Sequence, residues 1–253
     1  MTRLFKTLAA CSILAMALSA AAPAVALDDQ QKKEMGEFIR EYLLQNPEVL
    51  IEAQDALQAK QQAQRTEQSM KGIAGNKEAI FSSPTDITLG NPQGDVTVVE
   101  FFDYNCGYCK RALSDMDDIL AKDKNVRFIL KEFPILGPDS LAAHRVANAV
   151  RLLAPGKYAE FHRELLGGQE HASEETAIAV ATSLGVDEAA IRKSMADNPN
   201  DDLVRQSYQL ANEIGITGTP TYVVGNEAVF GAVGLDAIEA KVANVRTCGK
   251  ATC

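Results

Sequence analysis

The chain has 253 residues, 46% of them hydrophobic, and carries 34 acidic against 25 basic side chains for a formal charge of −9. That is ample length for one sizeable core plus an appendage, and so acidic a balance excludes nucleic acid and anionic lipid as principal partners. No apolar run after the first 26 residues is long enough to cross a bilayer, so membrane insertion is not expected there.

Met1 to Ala26 places Arg3 and Lys6 ahead of an apolar stretch from Leu8 to Leu18 and closes on Ala24-Val25-Ala26. This is the layout of a secretory signal cleaved near Ala26, and it predicts an exported protein. Cys11 lies inside the apolar stretch rather than behind it, which argues against a lipoprotein signal, and it leaves with the leader. Loss of Arg3 and Lys6 leaves 34 acidic against 23 basic residues, a charge of −11. Four cysteines remain, Cys106, Cys109, Cys248 and Cys253, an even number that fits two disulfides.

Asp28 to Gln45 sets Met35, Phe38, Ile39, Tyr42 and Leu43 at the three-and-four spacing of an amphipathic helix. Asn46-Pro47 then interrupts the pattern, Asn46 as the cap of a second helix and Pro47 as its first residue. Val49, Leu50, Ala53, Ala56 and Leu57 give that helix its own stripe, whereas Gln58 to Lys71 has helix propensity and hardly any apolar face. Two short amphipathic helices bury little by themselves, so 27–71 is read as a homo-oligomerisation module, Asp28 to Leu57, followed by a helical or mobile stalk. Folding back of both helices onto the main domain, 72–253, is the alternative.

Gly72 and Gly75 are expected to end the stalk, and Ser82-Ser83-Pro84 to form a turn. Ile87 to Leu89 reads as a short strand. Val96 to Phe102 is β-branched and aromatic on both faces, as a central strand should be, and holds a single carboxylate, Glu100. Cys106-Gly107-Tyr108-Cys109 follows where the strand gives way to a helix beginning near Gly107. A thiol there faces unsatisfied backbone N–H groups and the positive end of the helix dipole, so its thiolate is stabilised and the pair reads as a reactive dithiol. Half of a zinc site is the competing reading. It needs two more ligands, and neither His144, His162 and His171 nor the C-terminal cysteines offer a partner spacing, so no metal and no cofactor is expected.

Ala112, Leu113, Met116, Ile119 and Leu120 continue the helix, and Val126 to Leu130 is the next strand, running out through Lys131-Glu132-Phe133-Pro134. Helices are predicted over Ser140–Leu153, Lys157–Leu166, Glu174–Leu184, Asp187–Met195 and Asp201–Ile214, punctuated by glycine and proline. Thr221–Val224 and Glu227–Phe230 form a hairpin around Gly225-Asn226, and a last helix covers Leu235 to Val245. Without the helical block, about 139–214, the order is β-α-β then β-β-α: a mixed sheet with helices on both faces. Cys248 and Cys253 lie five positions apart in the tail and are expected to form a structural disulfide. The histidines receive surface or packing roles.

Phe101-Phe102-Asp103-Tyr104-Asn105-Cys106-Gly107-Tyr108-Cys109, a helical insertion, and then Gly215-Ile216-Thr217-Gly218-Thr219-Pro220-Thr221-Tyr222 resemble the DsbA-like branch of the thioredoxin-fold oxidoreductases, over Asp86 to about Arg246. Tyr42 to Leu50 resembles the N-terminal helices of the multimeric ScsC-like subgroup. The resemblance implies an α/β thioredoxin fold with a large helical insertion behind the α-helical module. It implies that Cys106 is the exposed nucleophile, that Cys109 is the buried resolving thiol, and that Thr219-Pro220 has a cis peptide bond facing the dithiol and the substrate chain. Glu100 stands six positions before Cys106, where this fold carries a buried acid, and is a candidate acceptor for the Cys109 proton; Lys131, on the neighbouring strand, is its candidate charge partner. A simple ion pair is the plainer alternative.

Gly107-Tyr108 departs from the Pro-His that strong oxidants of this family carry, which predicts a less oxidising couple. It resembles the motif of DsbC-type isomerases instead. The expectation is a periplasmic protein thiol–disulfide oxidoreductase, a disulfide isomerase in preference to an oxidase, acting on disulfide-containing exported proteins and kept reduced by a membrane-bound thiol–disulfide partner. Two readings of other classes remain: Cu(I) binding by Cys106 and Cys109, and a non-catalytic peptide-binding chaperone.

Overall fold

The computed structural model describes residues 28–253; the expected leader, with Cys11, lies outside the described residues. The chain divides into two units, the first ending at Ala56 and the second running Leu57–Cys253.

Helix α1 (Asp29–Gln45) opens on a capping box: Asp28 Oδ1 accepts the Gln31 N–H at 2.8 Å and Gln31 Oε1 accepts the Asp28 N–H at 3.1 Å. It buries none of its residues, and Met35, Phe38, Ile39 and Tyr42 stand exposed. Asn46 acts at the end of α1 and not as the expected cap of the next helix. Its backbone N–H and Nδ2 both donate to Tyr42 O, at 2.8 and 2.9 Å, satisfying a carbonyl the helix leaves open. Helix α2 (Glu48–Gly75) then runs unbroken for 28 residues, so the stalk is helical.

In the second unit five strands form one sheet: β1 (Ile87–Gly90), β2 (Val96–Phe102), β3 (Val126–Glu132), β4 (Thr221–Val224) and β5 (Glu227–Phe230), in the order β1-β3-β2-β4-β5. β2 and β3 are parallel and the other pairs antiparallel. Side chains alternate between the faces with period two. Val98, Phe102, Phe128 and Leu130 point to one face. There they meet α4 (Gly107–Lys122), α5 (Pro138–Leu153), α6 (Tyr158–Gly167), α7 (Glu174–Ser183), α8 (Glu188–Asp197) and α10 (Leu235–Cys248). Val99, Phe101, Ile129 and Val223 point to the other, covered by Leu210, Ala211 and Ile214 of α9 (Asp201–Ile214), Ile73 of α2 and Ile80 of α3 (Lys77–Phe81). The helical block between β3 and β4 therefore divides: α5 to α8 build up one face and α9 closes the opposite one.

One local reading needs correction and one element is new. Gly72 does not end α2 but lies inside it, because a Cβ there would sit 2.2 Å from Glu213 O of α9; the glycine is a close crossing point. Helix α3 covers a stretch to which the sequence assigned no element, since five residues are too few to display a helical period. No described helix is long and apolar enough to cross a membrane.

Candidate active site

β2 ends at Phe102, and the four residues after it turn the chain into α4. Cys106 is the N-cap of α4, with φ −77° and ψ 112°, and its Sγ accepts the Cys109 N–H at 3.4 Å. Its own N–H donates to Asp103 O at 3.0 Å. Cys106 is 6% exposed and Cys109 wholly buried, while Gly107 and Tyr108 between them face solvent, Tyr108 beneath the Arg111 guanidinium at 4.2 Å. Both cysteines are free thiols, so of the two disulfides the even count suggested only Cys248–Cys253 is formed, with Cα atoms 6.2 Å apart. A redox pair has two states, and this is the reduced one.

Opposite the dithiol lies the Gly218–Thr221 loop, in which the Thr219-Pro220 bond is cis. Cys106 Sγ donates to Thr219 O at 3.2 Å. The loop is held by Thr221 Oγ1 donating to Gly218 O at 2.8 Å and by the Gly231 N–H donating to Pro220 O at 2.9 Å. Residues 113 apart in sequence thus meet at one sulfur.

The two thiols titrate in opposite directions. Hydrogen bonding from Cys109, aided by the Thr219 side chain and the backbone N–H groups of Cys109 and Tyr108, lowers the Cys106 pKa to about 5 against the opposing effect of burial. The same sulfur-to-sulfur hydrogen bond, then burial and the nearby charge of Glu100, push Cys109 well above the ordinary thiol range. At neutral pH this favours a thiolate at Cys106 beside a protonated Cys109, and on ionising Cys106 gives up the hydrogen it donates to Thr219 O.

Glu100 lies on the same sheet face as these thiols, paired across β4 with Tyr222. It is 2% exposed, and burial, followed by the negative charges of Cys106 and Asp115, pushes its pKa up to about 8. Its Oε1 has no hydrogen-bond partner among the described residues. Lys131 is not beside it. In the β2–β3 register Glu100 aligns with Leu130 and Lys131 with Phe101, so the lysine points to the opposite face. There Lys131 pairs with Asp86 at 2.5 Å and donates to Ala79 O.

The corner also depends on polar residues that the sequence reading passed over. Asp103, fully buried, accepts from the Asn105 N–H at 2.8 Å, from Ser140 Oγ at 2.7 Å and from the Leu136 N–H at 3.0 Å. Asn105 clamps the backbone of Ala172, accepting its N–H at 2.7 Å and donating to its carbonyl at 2.8 Å. The loop ahead of Cys106 is thereby tied to α5 and to the connection before α7. The available signal was the pair of polar residues, Asp103 and Asn105, interrupting an apolar run just before the first cysteine.

His144 and His162 are buried against Phe102 and Tyr104 rather than at the surface, and burial lowers the His162 pKa to about 3, keeping it neutral. His171 is exposed beside Asp139 at 3.1 Å. No group of three or more metal-ligating side chains is assembled among the described residues.

Residues 97–243 match the model of the DSBA-like thioredoxin domain. The chain belongs to that family. Residues 31–64 match the N-terminal domain of the copper resistance protein ScsC. A thioredoxin-like oxidoreductase from Silicibacter pomeroyi DSS-3 is 39% identical with a TM-score of 0.65, over 68% of this chain and 99% of that one. The thiol-disulfide exchange protein alpha-DsbA2 from Wolbachia pipientis is 30% identical with a TM-score of 0.66, over 70% and 95%. Proteus mirabilis ScsC in a transitional conformation is 27% identical with a TM-score of 0.62 and covers 84% of the present chain and 95% of its own. Among curated relatives, the Na(+)/H(+) antiporter NhaA 3 from Salinispora tropica is 26% identical over 157 residues; the chain spans 24% of that protein's length. The DsbA-like thioredoxin fold with an ScsC-type helical N-terminus is the architecture read from the motifs above.

Proposed function

We propose that this protein is a periplasmic thiol–disulfide oxidoreductase that rearranges disulfides in exported proteins, working as an oligomeric disulfide isomerase. The observation that carries the reading is the Cys106 sulfur, capping α4, within 3.2 Å of the carbonyl that precedes the cis-proline. An incoming chain laid against that loop presents its disulfide to the one sulfur already ionised at neutral pH.

Attack by Cys106 on a substrate sulfur forms a mixed disulfide and breaks the substrate S–S bond, releasing a substrate thiolate. That thiolate attacks another disulfide of the same substrate, and the last exchange returns Cys106 as thiolate: isomerisation with no net redox change. In the escape route Cys109 gives up its proton and attacks Cys106 Sγ, which frees reduced substrate and leaves a Cys106–Cys109 disulfide. That disulfide takes two electrons from a membrane-bound dithiol partner before the next cycle. Glu100 suits the Cys109 proton. Formation of the mixed disulfide removes the Cys106 charge, one of the influences holding Glu100 protonated, so the carboxylate becomes available when Cys109 must deprotonate.

The exposed apolar faces of α1 and early α2, including Phe38 at 67% and Ile51 at 64% exposure, support assembly through the N-terminal helices. Several dithiols around a shared space would raise the effective concentration at which a misfolded chain meets them. Gly107-Tyr108 in place of Pro-His supports the isomerase side.

A second reading, net oxidase, is favoured by the Cys106 pKa of about 5, because a stabilised thiolate favours the reduced protein and makes its disulfide a better oxidant. Refolding assays separate the two. The isomerase rescues scrambled ribonuclease and has its dithiol trapped mostly reduced in cells; oxidation of reduced ribonuclease without rescue of the scrambled form would establish the oxidase.

A further inference from the structure

Among the described residues the sheet stops at β5, which pairs with β4 on one side and with no strand on the other. The hairpin register decides which of its peptide groups are free. Gly231 and Pro220 form a bonded pair, and bonded pairs alternate along antiparallel strands, so Val229 and Glu227 also turn their peptide groups toward β4. Ala228 and Phe230 turn theirs outward, and no turn or side-chain hydrogen bond among the described residues takes them.

Across from this edge stands the stretch of α2 from Gln62 to Met70, and between them lies a groove of about 720 Å³. Thr217, two residues ahead of Thr219, lines it, and so does Phe230, the neighbour of the Gly231 that bonds Pro220 O, so one end of the groove lies beside the loop that touches Cys106. Ser69, only 2% exposed, lines it, and its buried Oγ has no hydrogen-bond partner among the described residues. Phe230 is 38% exposed. Two outward peptide groups at the spacing of alternate residues match an extended backbone, not a compact solute. Its position beside the cis-proline loop matches a chain whose cysteine is already at Cys106.

We propose that this groove binds an extended segment of the polypeptide whose disulfide is being exchanged, added as a further strand on the open edge of β5. The proposal rests on the oxidoreductase reading for the identity of its ligand and on the sheet edge for its geometry. It makes the length of extended chain flanking the target cysteine a determinant of which substrates are turned over.

Reduced, carboxymethylated ribonuclease A has neither thiol nor disulfide, so its binding to the full-length protein reports the groove independently of dithiol chemistry. Binding is expected to slow hydrogen exchange at the Ala228 and Phe230 amides. Ala228→Pro removes one outward N–H, a change edge strands tolerate because the bonds to β4 are untouched. Thr66→Trp fills the groove from the α2 side. Each is expected to weaken binding about tenfold and to lower kcat/KM for scrambled ribonuclease in proportion, with exchange against oxidised glutathione unchanged. Unaltered binding in both variants, or protection confined to other strands, overturns the proposal. Protection of β5 in the free protein that grows with protein concentration overturns it in favour of a second copy on that edge. If the wild type fails to exchange with glutathione yet binds the alkylated chain at β5, the groove stands and the oxidoreductase reading falls.

Discussion

Glu100 is the residue whose environment makes the sharpest demand. Its carboxyl is pushed up to about 8 in the folded protein, against 4.5 as a free side chain. Between those two pH values the unfolded chain ionises this group and the folded one does not, so Glu100 takes stability away as pH rises from 4.5 to 8. Glu100→Gln removes the titrating group at nearly constant shape. The variant is expected to be more stable than wild type at pH 8 by a few kcal/mol, at about 1.4 kcal/mol per pKa unit, with the difference vanishing below pH 4.5. Urea unfolding midpoints of the two proteins at pH 4 and pH 8 measure it. If Glu100 is the proton acceptor proposed for Cys109, the same variant should accumulate mixed disulfide in single-turnover quench experiments. Normal resolution of the mixed disulfide would leave Glu100 a purely structural acid.

At the scale of elements, the face on which a side chain lies decides what it can do. Lys131 and Glu100 sit on adjacent strands yet on opposite faces of the sheet, so Lys131 belongs to the ion pair with Asp86. Lys131→Ala leaves Asp86 nearly buried without its partner and is expected to cost about 3–5 kcal/mol in a urea titration. The pH profile of Cys106 alkylation by iodoacetamide should be unmoved, and a shift of its midpoint would show that the lysine reaches the dithiol after all. Gly72 makes a second argument of this kind. Its Cα passes so close to α9 that a Cβ would fall 2.2 Å from Glu213 O, whereas a Cβ on Gly75 would meet nothing within 4 Å. Gly72→Ala should therefore destabilise the second unit by about 1–3 kcal/mol or loosen the last turns of α2, seen as faster hydrogen exchange at Ile73. Gly75→Ala is the control and should show neither.

At the scale of the whole molecule, the two units carry separable properties. α1 buries nothing of its own, while Ser69 and Ile73 of α2 are buried within the second unit. A truncation aimed at the N-terminal helices should therefore remove residues 28–56 and keep the rest of α2. The shortened protein is expected to sediment as a monomer, to retain exchange with glutathione disulfide, and to lose most of its rescue of scrambled ribonuclease. Full rescue by a proven monomer would separate isomerase work from assembly.

The elements that function depends on were legible because each carries a local signal. The apolar run of β2, the punctuation before α4, the glycine-rich hairpin turn and the three-and-four stripes of the helices all report the period of their own backbone. Two cysteines at a strand-to-helix corner likewise announced a stabilised thiolate, since the N–H groups that stabilise it belong to the next turn of the same chain. What only the tertiary structure decided is which distant parts meet. The Thr219 carbonyl against Cys106, Asn105 clamped on Ala172, Lys131 turned away from Glu100 and α9 closing the second face all depend on strand register and helix placement. Those follow from packing the whole core, where a shift of one residue exchanges the two faces of a strand, and no window of sequence contains that information.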